Sequence, residues 1–129
     1  MTRMGVIGPH PSARDLERLL AAIPAPAPVR AASDPLALTG EELFTGSAGC
    51  VGCHAGSMGT MDESIDVGTG APFQVPHLVG VAQRAPFMHD GCAPTLRDVL
   101  VGCEGDAPHA GTVPTDSAID ALIAYLETR

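Results

Sequence analysis

The stretch Cys50-Val51-Gly52-Cys53-His54 constrains the fold of this chain more than any other. Two cysteines separated by two residues, with a histidine directly after the second, have the spacing of a c-type haem attachment site. The chemistry needs that spacing. The two thiols add to the two vinyl groups of one haem, and the adjacent His54 is then held under the iron as its proximal ligand. A chain so tied folds around a flat apolar cofactor. The rest of the sequence suits this, because aromatic residues make up 3%, with no Trp, one Tyr and three Phe. A porphyrin would fill the core that so few large side chains leave open. A length of 129 residues allows one domain with a short appendage, and 15 Gly and 12 Pro imply many loops.

Charge divides the chain. Residues 1–36 carry four arginines against three carboxylates, a net +1, whereas residues 37–129 carry three arginines against twelve, a net −9. An acidic domain of this kind does not suit nucleic acid or an anionic membrane, and a basic redox protein partner fits it better. No apolar run is long enough to cross a membrane. The N-terminus lacks the apolar core of a signal peptide. Haem c is attached outside the cytoplasm in bacteria, so the motif predicts a periplasmic or otherwise extracytoplasmic location and a chain that is a piece of something longer.

The expected elements are short helices. Leu16, Leu19, Leu20 and Ile23 fall at i, i+3, i+4 and i+7 after Ser12, and this helix stops at Pro24. The run Pro24-Ala25-Pro26-Ala27-Pro28 reads as a polyproline-like linker. Residues 1–36 therefore read as a helix plus spacer left from an upstream domain, or as a helix packed on the domain of residues 37–129. Thr39-Gly40-Glu41-Glu42 has the form of a capping box, which predicts a helix from Thr39 through Leu43 and Phe44 toward Cys50. A short helix is expected over about Pro94 to Val101. A last helix from about Asp116, capped by Thr115, carries Ile119, Leu122, Ile123 and Leu126 on one face. Residues 55–70 and 102–114 read as loop, with no convincing β pattern.

Several stretches together resemble the C-terminal haem domain of the bacterial di-haem cytochrome c peroxidase family. They are Leu43-Phe44 before the haem motif, Asp66-Val67-Gly68-Thr69-Gly70, and Phe73-Gln74-Val75-Pro76-His77-Leu78-Val79-Gly80-Val81. Arg84-Ala85-Pro86-Phe87-Met88-His89-Asp90-Gly91, Thr95-Leu96-Arg97-Asp98-Val99 and the final Ile119 to Leu126 complete the set. They cover most of residues 39–129 in the family's order. The resemblance implies an all-α cytochrome c-like domain, three to five short helices wrapped around one covalent haem c with long loops. It implies that the Pro76 carbonyl accepts from the His54 ring, fixing it and strengthening it as a donor. It also implies that Arg84 and His89 lie near the haem propionates or a domain interface, as a guanidinium suits a carboxylate. A turn held by Asp90 and Gly91 explains His89 equally well. The family's first haem domain is absent here, and so is the Trp it uses between its haems.

The other face of the iron decides the function. A strong sixth ligand gives a low-spin electron carrier, whereas an open site allows peroxide chemistry. Met58, Met61, Met88, Cys103 and His109 compete. Met88 follows soon after Pro76, on the proximal and propionate side in the cytochrome c order, which favours packing. Met58 and Met61 follow directly on the haem motif. Cys103 falls where peroxidases of the family place their distal Met, so it is either a thiolate ligand or the partner of Cys92 in a disulfide. The disulfide requires Cα atoms within about 7 Å. If Cys103 is bridged, His109 is the leading distal ligand, in a Gly-flanked loop six residues before Thr115. His77 reads as a surface residue and His10 as part of a tail. Asp62, Glu63 and Asp66 offer carboxylates for Ca²⁺, but their spacing matches no defined loop.

Three functions follow. The first is electron transfer through one covalent haem, the relay half of a di-haem peroxidase-like protein whose second haem domain lies elsewhere. The second is a peroxidase or oxidase with an open distal site acting on H₂O₂. The third is Zn²⁺ held by Cys50, Cys53 and His54, which lacks a second ligand pair at structural-zinc spacing. A thioredoxin-like role needs a βαβ setting that the sequence does not provide.

Overall fold

A computed structural model describes residues 12–103, 108–109 and 115–129. The N-terminal stretch read for a leader, His10, and most of the loop expected over 102–114 lie outside the described residues.

Helix α1 spans Ala13–Ala22, and Ser12 and Asp15 form a reciprocal capping box at its start. It ends at Ile23, because the following proline cannot continue a helix. The apolar stripe predicted from spacing is present, but it is open to solvent: Leu16, Leu19, Leu20 and Ile23 are 48–62% exposed. The chain then runs down onto the rest of the molecule. The Gln83 amide donates to the Ala27 carbonyl at 2.7 Å. The backbone N–H groups of Val29 and Arg30 donate to the Glu127 carbonyl at 3.1 and 3.2 Å. The Arg30 guanidinium pairs with Glu127 at 2.6 Å and with Asp34 at 2.8 Å. The Pro/Ala segment is thus a strap fastened at its far end.

Helix α2 spans Pro35–Thr45, five residues longer at its start than the Thr39 capping box suggests. Asp34 is the cap and accepts from the Leu36 N–H at 2.8 Å, with Pro35 in the first turn. This start wins because proline's fixed φ is already helical and its missing N–H costs nothing there. Thr39 consequently sits inside the helix, and its hydroxyl donates back to the Pro35 carbonyl.

Helix α4 spans Asp116–Leu126, with Thr115 as its cap, as the sequence predicts. It packs across α2, and the crossing passes through Gly40. A Cβ on Gly40 would lie 1.9 Å from the Ala121 carbonyl oxygen and 2.8 Å from Tyr125 Cβ. A glycine in mid-helix costs about 1 kcal/mol relative to alanine, and here it permits backbone-close contact. Beside it the rings of Phe44 and Tyr125 pack with centroids 5.0 Å apart. Phe44, Leu78, Val81, Leu100, Ile119, Leu122, Tyr125 and Leu126 form the core, and Ile119 and Leu122 are 1% and 2% exposed.

Helix α3 spans Leu96–Val101 and is capped by Thr95 with Asp98 at the third position. Pro94 stays outside it, one residue before the cap. Arg97 ties α3 to α4 by pairing with Asp116 at 2.9 Å and with Asp120. The structure also contains a strand pair that the sequence did not suggest. Strand β1, Ser64–Ile65, runs antiparallel to β2, Phe73–Gln74, with Ser64 opposite Gln74 and Ile65 opposite Phe73. Two residues per strand are too few to show an alternation of polar and apolar positions. Asp66 shapes the intervening loop by accepting from the Gly68 and Thr69 N–H groups, both at 2.9 Å. Among the described residues the architecture is therefore four α-helices and one minimal hairpin. No described helix is long and apolar enough to cross a membrane.

Candidate haem-attachment site

Cys50–Gly52 forms a single 3₁₀ turn, entered through Gly49 at φ +67°. The Cys53 and His54 N–H groups both donate to the Cys50 carbonyl, at 3.2 and 2.9 Å. The turn therefore brings Cys50, Cys53 and His54 into one local unit. Both cysteines are free thiols and half-buried. Burial pushes the Cys50 thiol above its ordinary pKa, and the neighbouring Cys53 adds to the rise.

His54 bonds through Nδ1 to the Gly59 carbonyl at 2.9 Å. A carbonyl only accepts, so this contact assigns the proton to Nδ1 and leaves Nε2 as the lone-pair donor. The acceptor differs from the one expected. Pro76 is exposed and its carbonyl is not the partner of His54. The 75–81 segment instead supports the turn that carries Gly59. The Leu78 N–H donates to the Met58 carbonyl at 2.9 Å, and the Thr60 hydroxyl donates to the Val75 carbonyl at 2.5 Å. Sequence reasoning passed over Gly59. Its only signal is a glycine five residues after His54, within one turn's reach.

The distal candidates separate clearly. Cys92 and Cys103 form a disulfide with Cα atoms 5.9 Å apart. Cys103 is thus not a thiolate ligand, because its sulfur is already bonded. Met58 is 51% exposed. Met88 lies in a turn between Phe87 and Ala93, which pair by backbone bonds of 2.8 and 3.4 Å, and it adopts φ +69°. His109 is the residue brought opposite His54. The two imidazole centroids are 6.1 Å apart, with their planes at 39°. The His109 N–H donates to the Val99 carbonyl at 3.3 Å, so α3 anchors it. Its Nδ1 is buried without a hydrogen-bond partner among the described residues. Burial lowers the His109 pKa, and the facing His54 lowers it further, so the ring is held neutral.

The remaining candidates lie apart from this pair. His89 stacks on Phe73, with centroids 4.4 Å apart, and is exposed. Arg84 is exposed and donates to the His77 carbonyl. Asp62 and Glu63 are exposed, and the Asp66 carboxylate is used by its own loop. Among the described residues no group of three or more His, Cys, Asp or Glu could hold a metal ion. A cavity of about 200 Å³ adjoins His54, lined by Phe44, Val51, Gly59, Leu78, Tyr125 and Arg129 among others.

The residues fit a haem iron on two observations. Haem supplies four nitrogens of its own, so the protein needs to offer only two axial ligands. Two metal–nitrogen bonds of about 2.0 Å, with each nitrogen about 1.1 Å from its ring centroid, place facing imidazoles about 6.2 Å apart. The His54–His109 separation of 6.1 Å matches that spacing. The unpartnered His109 Nδ1 is the second sign, since a buried ring nitrogen without a partner is costly. No family model matches this chain, and neither a curated protein nor a solved structure does.

Proposed function

We propose that residues 37–129 form a c-type haem domain that transfers electrons, in which His54 and His109 would hold the iron. Cys50 and Cys53 would hold the haem as thioethers. The observation that carries this reading is the pair of facing imidazoles, 6.1 Å apart, beside two free thiols at haem-attachment spacing. Haem would supply a one-electron couple between ferric and ferrous iron. The chain's own groups do the rest. The Gly59 carbonyl fixes the His54 tautomer, the Val99 carbonyl anchors His109, and the α2–α4 crossing packs Phe44 beside His54, with ring centroids 6.5 Å apart. If both imidazoles hold the iron, peroxide would have no position to bind, which favours a carrier over a peroxidase.

Read with the sequence resemblance to di-haem cytochrome c peroxidases, this unit would be an electron relay working beside a second haem domain. The acidic surface of residues 37–129 suits a basic redox partner. Haem attachment and the Cys92–Cys103 disulfide both suit an extracytoplasmic compartment.

The test is spectroscopic, on protein matured in a host that attaches haem c. The expected result is a covalent haem with a low-spin ferric spectrum and no binding of CO to the ferrous form. In His109→Ala the ferric spectrum should become high-spin and the ferrous form should bind CO. A wild-type spectrum that is already high-spin would move the reading to the peroxidase. An absence of covalent haem would remove both.

A further inference from the structure

We propose that Gly59 is the positioning residue of the iron-binding imidazole: its carbonyl, rather than any carbonyl of the 75–81 segment, sets how strongly His54 donates. The inference rests on the assignment of His54 as an iron ligand, and goes beyond it by naming the group that tunes that ligand. Four observations carry it. The His54 Nδ1 to Gly59 oxygen distance is 2.9 Å, a full hydrogen bond. Gly59 is buried and sits at φ +62°, a left-handed conformation that other residues adopt reluctantly. A Cβ at this position would meet Leu78 Cβ, Cγ and Cδ1 at 2.9, 3.0 and 3.1 Å. Leu78 cannot easily give way, because it is 7% exposed and its N–H is bonded to Met58, the residue before Gly59.

The peptide is therefore clamped. On its other side the Gly59 N–H donates to the Gly56 carbonyl at 3.1 Å, and the Thr60 N–H donates to the Ala55 carbonyl at 3.0 Å. A hydrogen bond from a ligating imidazole to a fixed carbonyl draws the Nδ1 proton away from the ring and enriches Nε2. An enriched Nε2 favours ferric over ferrous iron and lowers the reduction potential. Any side chain at position 59 collides with Leu78, displaces the carbonyl and weakens this effect.

Gly70 supplies the matched control. It also has a positive φ, +79°, but a Cβ there meets nothing within 4 Å, and it makes no bond to the 54–60 turn that the argument uses. Gly70→Ala thus carries the backbone penalty without the collision and without moving the His54 acceptor. The experiment compares haem-loaded wild type, Gly59→Ala and Gly70→Ala by potentiometry and by ferric electron paramagnetic resonance. The expected result is a higher reduction potential and altered g values in Gly59→Ala, with Gly70→Ala matching wild type on both. Equal potentials in the two variants overturn the proposal. Should Gly59→Ala fail to mature, the ferrous wild-type protein labelled with ¹⁵N-histidine and ¹³C′-glycine carries the test. A coupling across the hydrogen bond from His54 Nδ1 to a glycine carbonyl is expected. A coupling to a ¹³C′-proline carbonyl instead overturns it. His54→Ala separates the two levels, because a haem spectrum unchanged in that variant sinks the assignment of His54 itself rather than the role of Gly59.

Discussion

The two histidines that face each other are held by different means. His54 is fixed within its own stretch of chain. The motif turn, the Gly59 acceptor and the Ala55–Thr60 backbone bond all lie within eleven residues, and the 75–81 segment only backs them. His109 is fixed from a distance. Its backbone hangs on Val99 in α3, α3 is tied to α4 through Arg97, and the preceding segment is fastened to the 87–93 turn by the Cys92–Cys103 bridge. The ring nitrogens show the same contrast, since His54 Nδ1 is satisfied and His109 Nδ1 is buried with no partner among the described residues. One side of the site is a local motif with local support. The other is a tertiary construction that a ligand would complete.

The largest expected effect tests the scaffold under the His54 side. Gly40→Ala places a methyl group against the Ala121 carbonyl, which must drive α2 and α4 apart. The loss should be about 3 kcal/mol or more, read by chemical unfolding of the haem-free protein. A loss below about 1 kcal/mol would mean that α2 and α4 do not cross in close contact at Gly40.

The next effect tests the His109 side. Removing the bridge with Cys92→Ala and Cys103→Ala together should cost about 3 kcal/mol for a closed loop of this size. Haem-loaded protein should at the same time show a weakened low-spin spectrum, because the segment before His109 is released. The His54–Gly59 hydrogen bond should survive, as it shares no residue with the bridge. Loss of both contacts in this variant would erase the distinction between a local side and a tertiary side.

The smallest effect is a pH dependence. His109 has a folded-state pKa below the unfolded value of about 6.5, through burial first and the facing His54 second. The folded protein therefore prefers the neutral ring. Between the lowered folded pKa and about 6.5 the unfolded chain binds more protons, so stability is full above that window and declines as the pH falls through it. Haem-free His109→Gln should show a shallower acid-side decline than wild type in unfolding experiments run from pH 7 to pH 5. Identical slopes would place the His109 ring in water rather than in the interior.

Legibility followed the same division. Helix α4 was readable because Thr115, Asp116 and the Ile119, Leu122, Ile123, Leu126 stripe state one answer at three levels. The start of α2 was not, because two overlapping start signals competed and Asp34-Pro35 prevailed over Thr39-Glu42. The apolar stripe of α1 correctly announced a helix, yet said nothing of what it packs on, and in the structure its four apolar residues stay exposed. The Pro/Ala run looked like a free linker. Its attachment depends on Gln83 and Glu127, residues far along the chain whose side chains carry no sign of that pairing.

By itself the sequence determined the Cys50-Val51-Gly52-Cys53-His54 turn, the caps of α1 and α4, and the short list of residues able to face His54. These are consequences of bonding within a few residues, where spacing and side-chain chemistry suffice. Only the tertiary structure decided that Cys103 is bridged to Cys92, that Gly59 rather than Pro76 holds the His54 ring, and that His109 comes to rest with its ring 6.1 Å from that of His54. Each of those depends on where separate segments come to rest against α4, and a distance between segments is set by packing.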